Sequence, residues 1–584
     1  MSRFTVNEVL ERVWADSSDE EDFSGSEDGE SDDDYVLENE DSESDGSESS
    51  EAKTGGEDSD ETGADNARNG PPPKWQRKRN ATVPNLHWVR PNLAPPPDIP
   101  FTGQSGVQVD TQGFEPIDYF TLFINDDLVN YLVTETNLFA EQFIRDNNLK
   151  RRSRVREWYP TNPKEMKEFL GITFLMGIIQ KPNIQMYWSN DPLYSTPIFK
   201  QVMKRDRYLL LLKFLHFNDN DNMPGRDEPN PNQLYKIRPL VDHLFEKFQE
   251  VYTPSKQVCI DKSLLLWKGR LHFNQYIPLK RSQFGIKLFM LCEDGGYTHR
   301  FRIYTGKNTL VEGNQNLSIS ERIVEDLMMP LLNKGHHLYM DNWYTSIPLL
   351  QYLKDNSTLA CGTIRKNRKG FPEAVSKAKL RQHGETVAYR SDALLALKCK
   401  DTKEVNILTT IHDERMQNIR NRRNPANPLQ KPKCIVDYNK YMGGVDCTDQ
   451  LLQPFQVARK SMKWYKKLAL HLVQLSMLNS FIPHKKSGGR KPLLDFQRSV
   501  IASLLLVENT PEIPREEAIA CLTERHFIAP IPPTEKKEKP QKKCRVCTKR
   551  KTRKESRYHC ASCPSNPGLC YYPCFEIYHT QYHY

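Results

Sequence analysis

Three aspartates stand where an enzyme acting on phosphodiesters would place its carboxylates. Asp261 closes the apolar run Gln257-Val258-Cys259-Ile260, Asp341 closes His336–Met340 just ahead of a helical stretch, and Asp446 follows Gly443-Gly444-Val445. Asp449 comes three residues later, on the same face if that segment is helical. Carboxylates at strand ends are preorganised. Two divalent ions held by them roughly 3.5–4 Å apart can activate a water or a 3′-hydroxyl and stabilise the leaving oxyanion of an in-line displacement. Magnesium suits such hard oxygen ligands. Taken singly, each Asp is more often a helix cap or a turn residue, so this spacing alone is a weak signal.

A denser constellation closes the chain. Cys544, Cys547, Cys560, Cys563, Cys570, Cys574, His579 and His583 read C-x2-C-x12-C-x2-C-x6-C-x3-C-x4-H-x3-H. Eight nitrogen and sulfur ligands make two tetrahedral zinc sites, and closed four-ligand sites are structural rather than catalytic. The order fits an interleaved cross-brace, pair one with pair three and pair two with pair four, without proving it. His583 stands one residue from the end, and His559 is its substitute. Of the chain's 13 cysteines, the other seven are scattered and read as small buried apolar residues. Pairs of Cys interleaved with His point to metal rather than to a disulfide framework.

The elements that must position these groups can be read from periodicity. Between about Phe114 and Tyr252, apolar residues recur at i, i+3 and i+4, and Asn162-Pro163 opens one of the stretches as a helix start. At Gln257 the texture changes to strands: Gln257–Asp261, two apolar runs around the turn Asp294-Gly295-Gly296, and His336–Asp341. A helix follows directly at Thr345–Asp355. The run from Ala393 to Ile411 reads as a further hairpin, and Lys463–Ile482 as a long helix. Pro530–Lys543 reads as a linker.

Charge is distributed unevenly. From Met1 to Thr62 there are 24 acidic residues against Arg3, Arg12 and Lys53, a net of −21, which leaves +28 for the remainder of a chain whose total is +7. The first tract is predicted to be disordered, followed by a basic, Pro-rich linker at 71–100. The remainder is suited to polyanions, because Lys and Arg that neutralise phosphates release condensed counterions. Lys542, Lys543, Arg545 and Arg550 bring such charge to the Cys-rich block. No apolar run approaches the roughly 18–20 residues that span a bilayer, and the start lacks a basic-then-apolar leader, so no membrane role is expected.

The words around the aspartates carry a resemblance. The segments beginning Ile260-Asp261-Lys262, Tyr339-Met340-Asp341-Asn342-Trp343, Cys361-Gly362-Thr363-Ile364-Arg365 and Asp437–Gln450 closely resemble, in order and separation, the block signature of piggyBac-type DNA transposases. The resemblance implies an α+β multidomain protein: a ribonuclease-H-like core with an Asp-Asp-Asp triad on two Mg²⁺, interrupted by an insertion domain and flanked by an α-helical dimerisation and DNA-binding domain. On this chain the triad would be Asp261, Asp341 and Asp446, with Asp449 nearby. The implied layout is a tail at 1–100, helical domain at 112–254, core at 255–365, insertion at 366–427, core again at 428–452, helical domain again at 453–530, and a cross-brace zinc finger at 540–584. Arg365, Arg368 and Trp464 fall where the family meets DNA, the indole as a stacking surface for a base. The resemblance further implies a nuclear homodimer that binds transposon ends, cleaves through hairpins and joins them to TTAA.

One residue departs from the pattern. Lys262 stands where many members have Glu. Neighbouring residues on a strand point to opposite faces, so Lys262 is expected to turn away from Asp261 and keep its ammonium outside the metal site. A lysine that reached the carboxylates would compete with a metal. The rival reading is a domesticated, catalytically inactive DNA-binding relative. A third, a chromatin-reading zinc module on a scaffold, leaves the Asp-bearing strands unexplained.

Overall fold

Polar caps and apolar spacing turn the segment after Phe114 into helices. These are α1 (Pro116–Thr121), α2 (Asp126–Asp146), α3 (Pro163–Ile178), α4 (Pro197–Val202), α5 (Arg205–Phe214) and α6 (Arg238–Val251). The Asn125 side chain accepts from Leu128 N to cap α2, and the Asn162 side chain accepts from Glu165 N to cap α3, where Pro163 takes the first position and its missing N–H costs nothing. Along α2, Leu128, Leu132, Thr136 and Ala140 are buried at i, i+4 spacing. By contrast α3 buries Met166, Phe169, Leu170, Ile172, Phe174 and Met176, as a helix enclosed on several sides must.

The computed structural model describes residues 86–91, 98–225, 232–277, 283–306, 309, 314, 317–419, 429–457, 463–505, 526–534, 537–563 and 565–580. The acidic tract, most of the Pro-rich linker and His583 lie outside the described residues. The chain forms two compact units, Met1–Ile501 and Ala502–Tyr584.

In the first unit a nine-stranded sheet carries β3 (Gln257–Leu266), β4 (Gln275–Tyr276), β5 (Phe284–Glu293), β6 (Thr298–Ile303), β7 (His337–Met340), β8 (Leu359–Thr363), β9 (Thr386–Ser391), β10 (Leu394–Lys400) and β11 (Glu404–Thr409). A short pair, β1 (Gly106–Val107) with β2 (Tyr252–Thr253), precedes it. The order is β4-β5-β3-β7-β8-β11-β10-β9, with β6 also on β5. The pairs β3–β7 and β7–β8 are parallel, and the other pairs of the sheet are antiparallel. Parallel neighbours need crossovers, and two helices supply them: α7 (Ile319–Met328) before β7 and α8 (Ile347–Asp355) after it. Val258, Ile260, Phe289, Leu338 and Met340 from the sheet pack with Ile323, Leu327, Leu349 and Leu353 from these helices. The segment from 366 continues the same sheet, since β11 pairs with β8 through Ile407↔Thr363.

The opposite face receives α9 (Lys433–Tyr441), α10 (Gly444–Leu452) and the long α11 (Trp464–Lys486). A Cβ at Gly444 would fall 2.7 Å from the Glu293 carbonyl and 2.8 Å from Cys259 Sγ, so only glycine lets α10 lie this close to the sheet. Asn479 on α11 both accepts from Thr298 N (3.0 Å) and donates to Thr298 O (2.8 Å), tying the helix to β6. The same helix packs against α1 and α6, so helices from both sides of the sheet's sequence form one layer.

A separate pair, β12 (Met416–Ile419) with β13 (Leu429–Pro432), precedes α9 in the first unit. In the second unit, β14 (Ile528–Pro530) pairs with β17 (Tyr558–Cys560), β15 (Lys542–Lys543) with β16 (Glu555–Ser556), and the helices α12 (Arg545–Lys549) and α13 (Cys574–Thr580) bring the cysteines together. Its small core is Val546, Leu569 and Tyr578 packed among Cys side chains.

Candidate functional site

Parallel pairing brings two of the aspartates side by side. The last pair of β3 with β7 is Ile260↔Met340, and the next residue on each chain is Asp261 and Asp341. At Asp341 the chain leaves the strand: Oδ1 accepts from Trp343 N (2.9 Å), and Thr345 Oγ1 donates to the Asp341 carbonyl (2.8 Å). Ser346 then caps α8. Asp446 lies in the first turn of α10, and Asp449 Oδ1 accepts from Ser263 Oγ at 2.6 Å. Ser263 is two residues beyond Asp261 and so shares its face. The α10 carboxylates and Asp261 therefore belong to one side of the sheet. Burial, then the charges of Asp341 and Asp261, push the Tyr344 hydroxyl well above its usual range. Burial is also the main cause of the rise at Tyr438, with both carboxylates contributing. Among the described residues, three or more metal-ligand atoms converge within 4.8 Å in the second unit alone, so the aspartates are neighbours rather than a closed cage.

Lys262 overturns the expectation made for it. Its Nζ donates to Asp341 Oδ2 at 3.1 Å and lies 5.0 Å from the Trp343 ring centroid. The backbone alternates as expected, and Lys262 pairs with Phe289, whose ring belongs to the α7/α8 side. Alternation, however, fixes where a Cβ starts and not where a four-carbon stem ends, while Asp341 has already left the strand. Lys287 lies behind, over Tyr304 (4.2 Å) and Phe289 (5.1 Å); burial, reinforced by the Lys262 charge, lowers its ammonium to about 8. The carboxylate set has the hard-oxygen chemistry that magnesium takes, but a cation of the chain's own already engages one member.

Arg368 donates to the carbonyls of Thr345 (3.1 Å), Asn342 (3.0 Å) and Trp343 (3.1 Å), so its guanidinium braces the loop after Asp341. Arg365 is half-buried just beyond Ile364. Trp464 opens α11, half-buried, with its ring edge-on to Phe273 at 5.4 Å. Lys542, Lys543, Arg545 and Arg550 are exposed on the second unit.

The metal ligands of that unit fall into two sets, Cys544, Cys547, Cys570, Cys574 and His526, Cys560, Cys563, His579. Ligands on one tetrahedral zinc stand about 3.5–3.8 Å apart, given Zn–S near 2.3 Å and Zn–N near 2.1 Å. Here Cys547 Sγ is 3.5 Å from Cys574 Sγ and 3.9 Å from Cys570 Sγ, and His526 Nδ1 is 3.5 Å from both Cys560 and Cys563 Sγ. His579 Nδ1 donates to the Phe575 carbonyl (2.7 Å), which leaves Nε2, 3.5 Å from Cys563 Sγ, as the ligand atom. Pair one joins pair three, as interleaving requires. The place given from sequence to His583, or to His559, is taken by His526: β14 runs beside β17 and delivers it from outside the Cys-rich block. His526 had no spacing signal, being 18 residues ahead of Cys544.

The sequence model of a family described as Transposase IS4 matches residues 115–481, and that of a DDE_Tnp_1-like zinc finger matches 523–580. The second match includes His526. Human PiggyBac transposable element-derived protein 3 is 26% identical over 459 residues, 76% of this chain and 74% of that protein. Human PiggyBac transposable element-derived protein 2 is 24% identical over 465 residues, 77% and 75% of the two chains. A cryo-EM structure of the piggyBac transposase synaptic complex with hairpin DNA superposes with a TM-score of 0.61 at 23% identity, covering 80% of this chain and 98% of that one. With a family match running through the helical layer and the sheet, and a second through the zinc finger, this chain belongs to the piggyBac-type transposase family.

Proposed function

We propose that the chain is a nuclear cut-and-paste DNA transposase that works as a homodimer, with a ribonuclease-H-like core in the Met1–Ile501 unit and DNA recognition shared with the zinc finger. The observation that carries this reading is that Asp261 and Asp341 directly follow the last parallel pair of β3 and β7, Ile260↔Met340, with Asp446 and Asp449 on a helix at the same sheet. Asp261, Asp341 and Asp446 would hold two magnesium ions, whose chemistry is to activate the attacking oxygen and steady the leaving one. The chain's own residues do the rest. Arg368 and the Thr345 hydroxyl hold the Asp341 loop, Ser263 orients Asp449, and Trp464 stacks a base near the cut. Nicking frees a 3′-hydroxyl that attacks the opposite strand to leave a hairpin, and the released ends join at TTAA. In a cleavage assay with candidate ends and Mg²⁺, Asp261→Asn, Asp341→Asn and Asp446→Asn should each abolish cutting and leave DNA binding within about twofold, since an amide keeps the shape but not the charge of the ligand. Cutting that survives in one of them removes that residue from the site.

A second reading has its own support in the Lys262–Asp341 ion pair: a relative that binds DNA and no longer cuts it. A parent protein inert in Mg²⁺ that gains cutting on Lys262→Glu would select this reading.

A further inference from the structure

Where β3 ends, the sheet exposes two aromatic rings that the core does not use. Tyr276 and Phe284 pair directly across β4 and β5, with ring centroids 4.6 Å apart and planes 34° apart. Tyr276 is 56% exposed and Phe284 46%. Large apolar rings left in water at a paired position cost stability, so a partner that covers them is the simplest reason for their presence.

Their position is informative. Met290 pairs with Asp261, and Phe284 lies six residues earlier on β5. An even step keeps the same face and covers about 20 Å. The rings therefore lie on the Asp261 face, further along the same sheet. The loop from Trp267 to Asn274 borders them, with Trp267 N donating to the Phe284 carbonyl (3.1 Å). That loop exposes Lys268 and Arg270, and its Phe273 is the residue against which Trp464 stands. No acidic residue occurs between Asp261 and Glu293.

Resting on the DNA-cutting reading above, we infer that the Tyr276–Phe284 pair is a stacking platform for unpaired DNA bases flanking the cut. Every base has an apolar face that stacks on an aromatic ring, while a Lys/Arg flank tracks the phosphates. A second copy of the chain suits the patch less well. Two rings fall far short of the roughly 800 Å² per partner of a stable protein interface, and the flanking charges would repel their own copies.

The probes are a short blunt duplex and the same duplex with a single-stranded extension carrying a fluorescent adenine analogue, whose emission falls on stacking. The parent protein should quench the analogue and bind the extended duplex more tightly. Tyr276→Ala with Phe284→Ala should lose the quenching and about tenfold in affinity for the extended duplex, with blunt-duplex affinity unchanged. The swap Tyr276→Phe with Phe284→Tyr should restore both. Unchanged quenching in the double alanine variant overturns the inference, as does an equal loss on both duplexes. A change in sedimentation with quenching intact assigns the patch to a second copy and overturns it as well. A parent that binds neither duplex sinks the DNA-cutting reading instead.

Discussion

At Asp341 two cations have a claim to one carboxylate, and the chain supplies the first. With side chains 19% and 29% exposed, the Lys262–Asp341 pair is partly shielded, and a divalent ion must displace the ammonium to gain the full carboxylate. Lys262→Met should therefore raise Mn²⁺ or Mg²⁺ affinity of the DNA-free protein by about fivefold, as removal of a pair worth about 1 kcal/mol would. Calorimetric titration is the measurement, and equal affinities in the two proteins would show that the lysine stands aside. The sequence expected both Asp261 and Asp341 at strand ends; Asp341 does follow the last residue of β7, whereas β3 runs on through Asp261 to Leu266 because Leu264, Leu265 and Leu266 continue its pairing with β5. The contact of Lys262 was not legible, since a period-two rule places Cβ atoms, and nothing local announced that Asp341 curls back onto Trp343 N. The bracing role of Arg368, with its three bonds to carbonyls of the Asp341 loop, was not legible either, since those acceptors lie more than twenty residues away in the chain. Arg368→Ala should lower thermal stability by about 1.5–3 kcal/mol, the usual worth of charged hydrogen bonds.

Helix α3 shows how a single element joins capping, charge and pH. Glu165 in its first turn receives a two-pronged bond from Arg207 on α5 (2.7 and 2.6 Å) and one from Thr161 Oγ1 (2.7 Å), while the guanidinium lies over Tyr159. Burial alone would raise this carboxyl. Arg207, Thr161 and Tyr159 outweigh it and hold the group below its ordinary value. A depressed carboxyl contributes stability that is complete above its unfolded value near 4.3 and fades as pH falls through the folded value. Glu165→Gln should thus cost about 3–5 kcal/mol at neutral pH and narrow its deficit below about pH 4. Denaturant midpoints of both proteins across pH 3–7 give the comparison, and a deficit that widens in acid would refute it. In the zinc finger the cysteine pairs were legible from spacing, and their interleaving followed. His526 was hidden because a strand pairing, β14 on β17, replaces sequence proximity. His526→Ala should reduce zinc from two ions to one in native mass spectrometry, and His583→Ala should leave two. The reverse result would restore the sequence assignment.

Across the whole molecule, the helical stretches and the strand hairpins could be foreseen, because periodicity and composition report on them. The joining of β9–β11 to the core sheet could not, because edge pairing between segments leaves no period of its own. The basic remainder of the chain predicts DNA binding that weakens steeply with salt. Neutralising Lys542, Lys543, Arg545 and Arg550 together should lower the slope of log K against log salt by up to about four, near 0.9 for each lost phosphate contact. An unchanged slope would take the zinc finger off the DNA. The helical layer has a further consequence, for synthesis. Because α1 and α6 bury their apolar faces against α11, a ribosome must deliver the entire sheet before those first helices can dock. Until then Phe120, Phe123 and Phe248 have no finished core to enter, so a nascent chain stopped before residue 464 is an aggregation-prone client for chaperones.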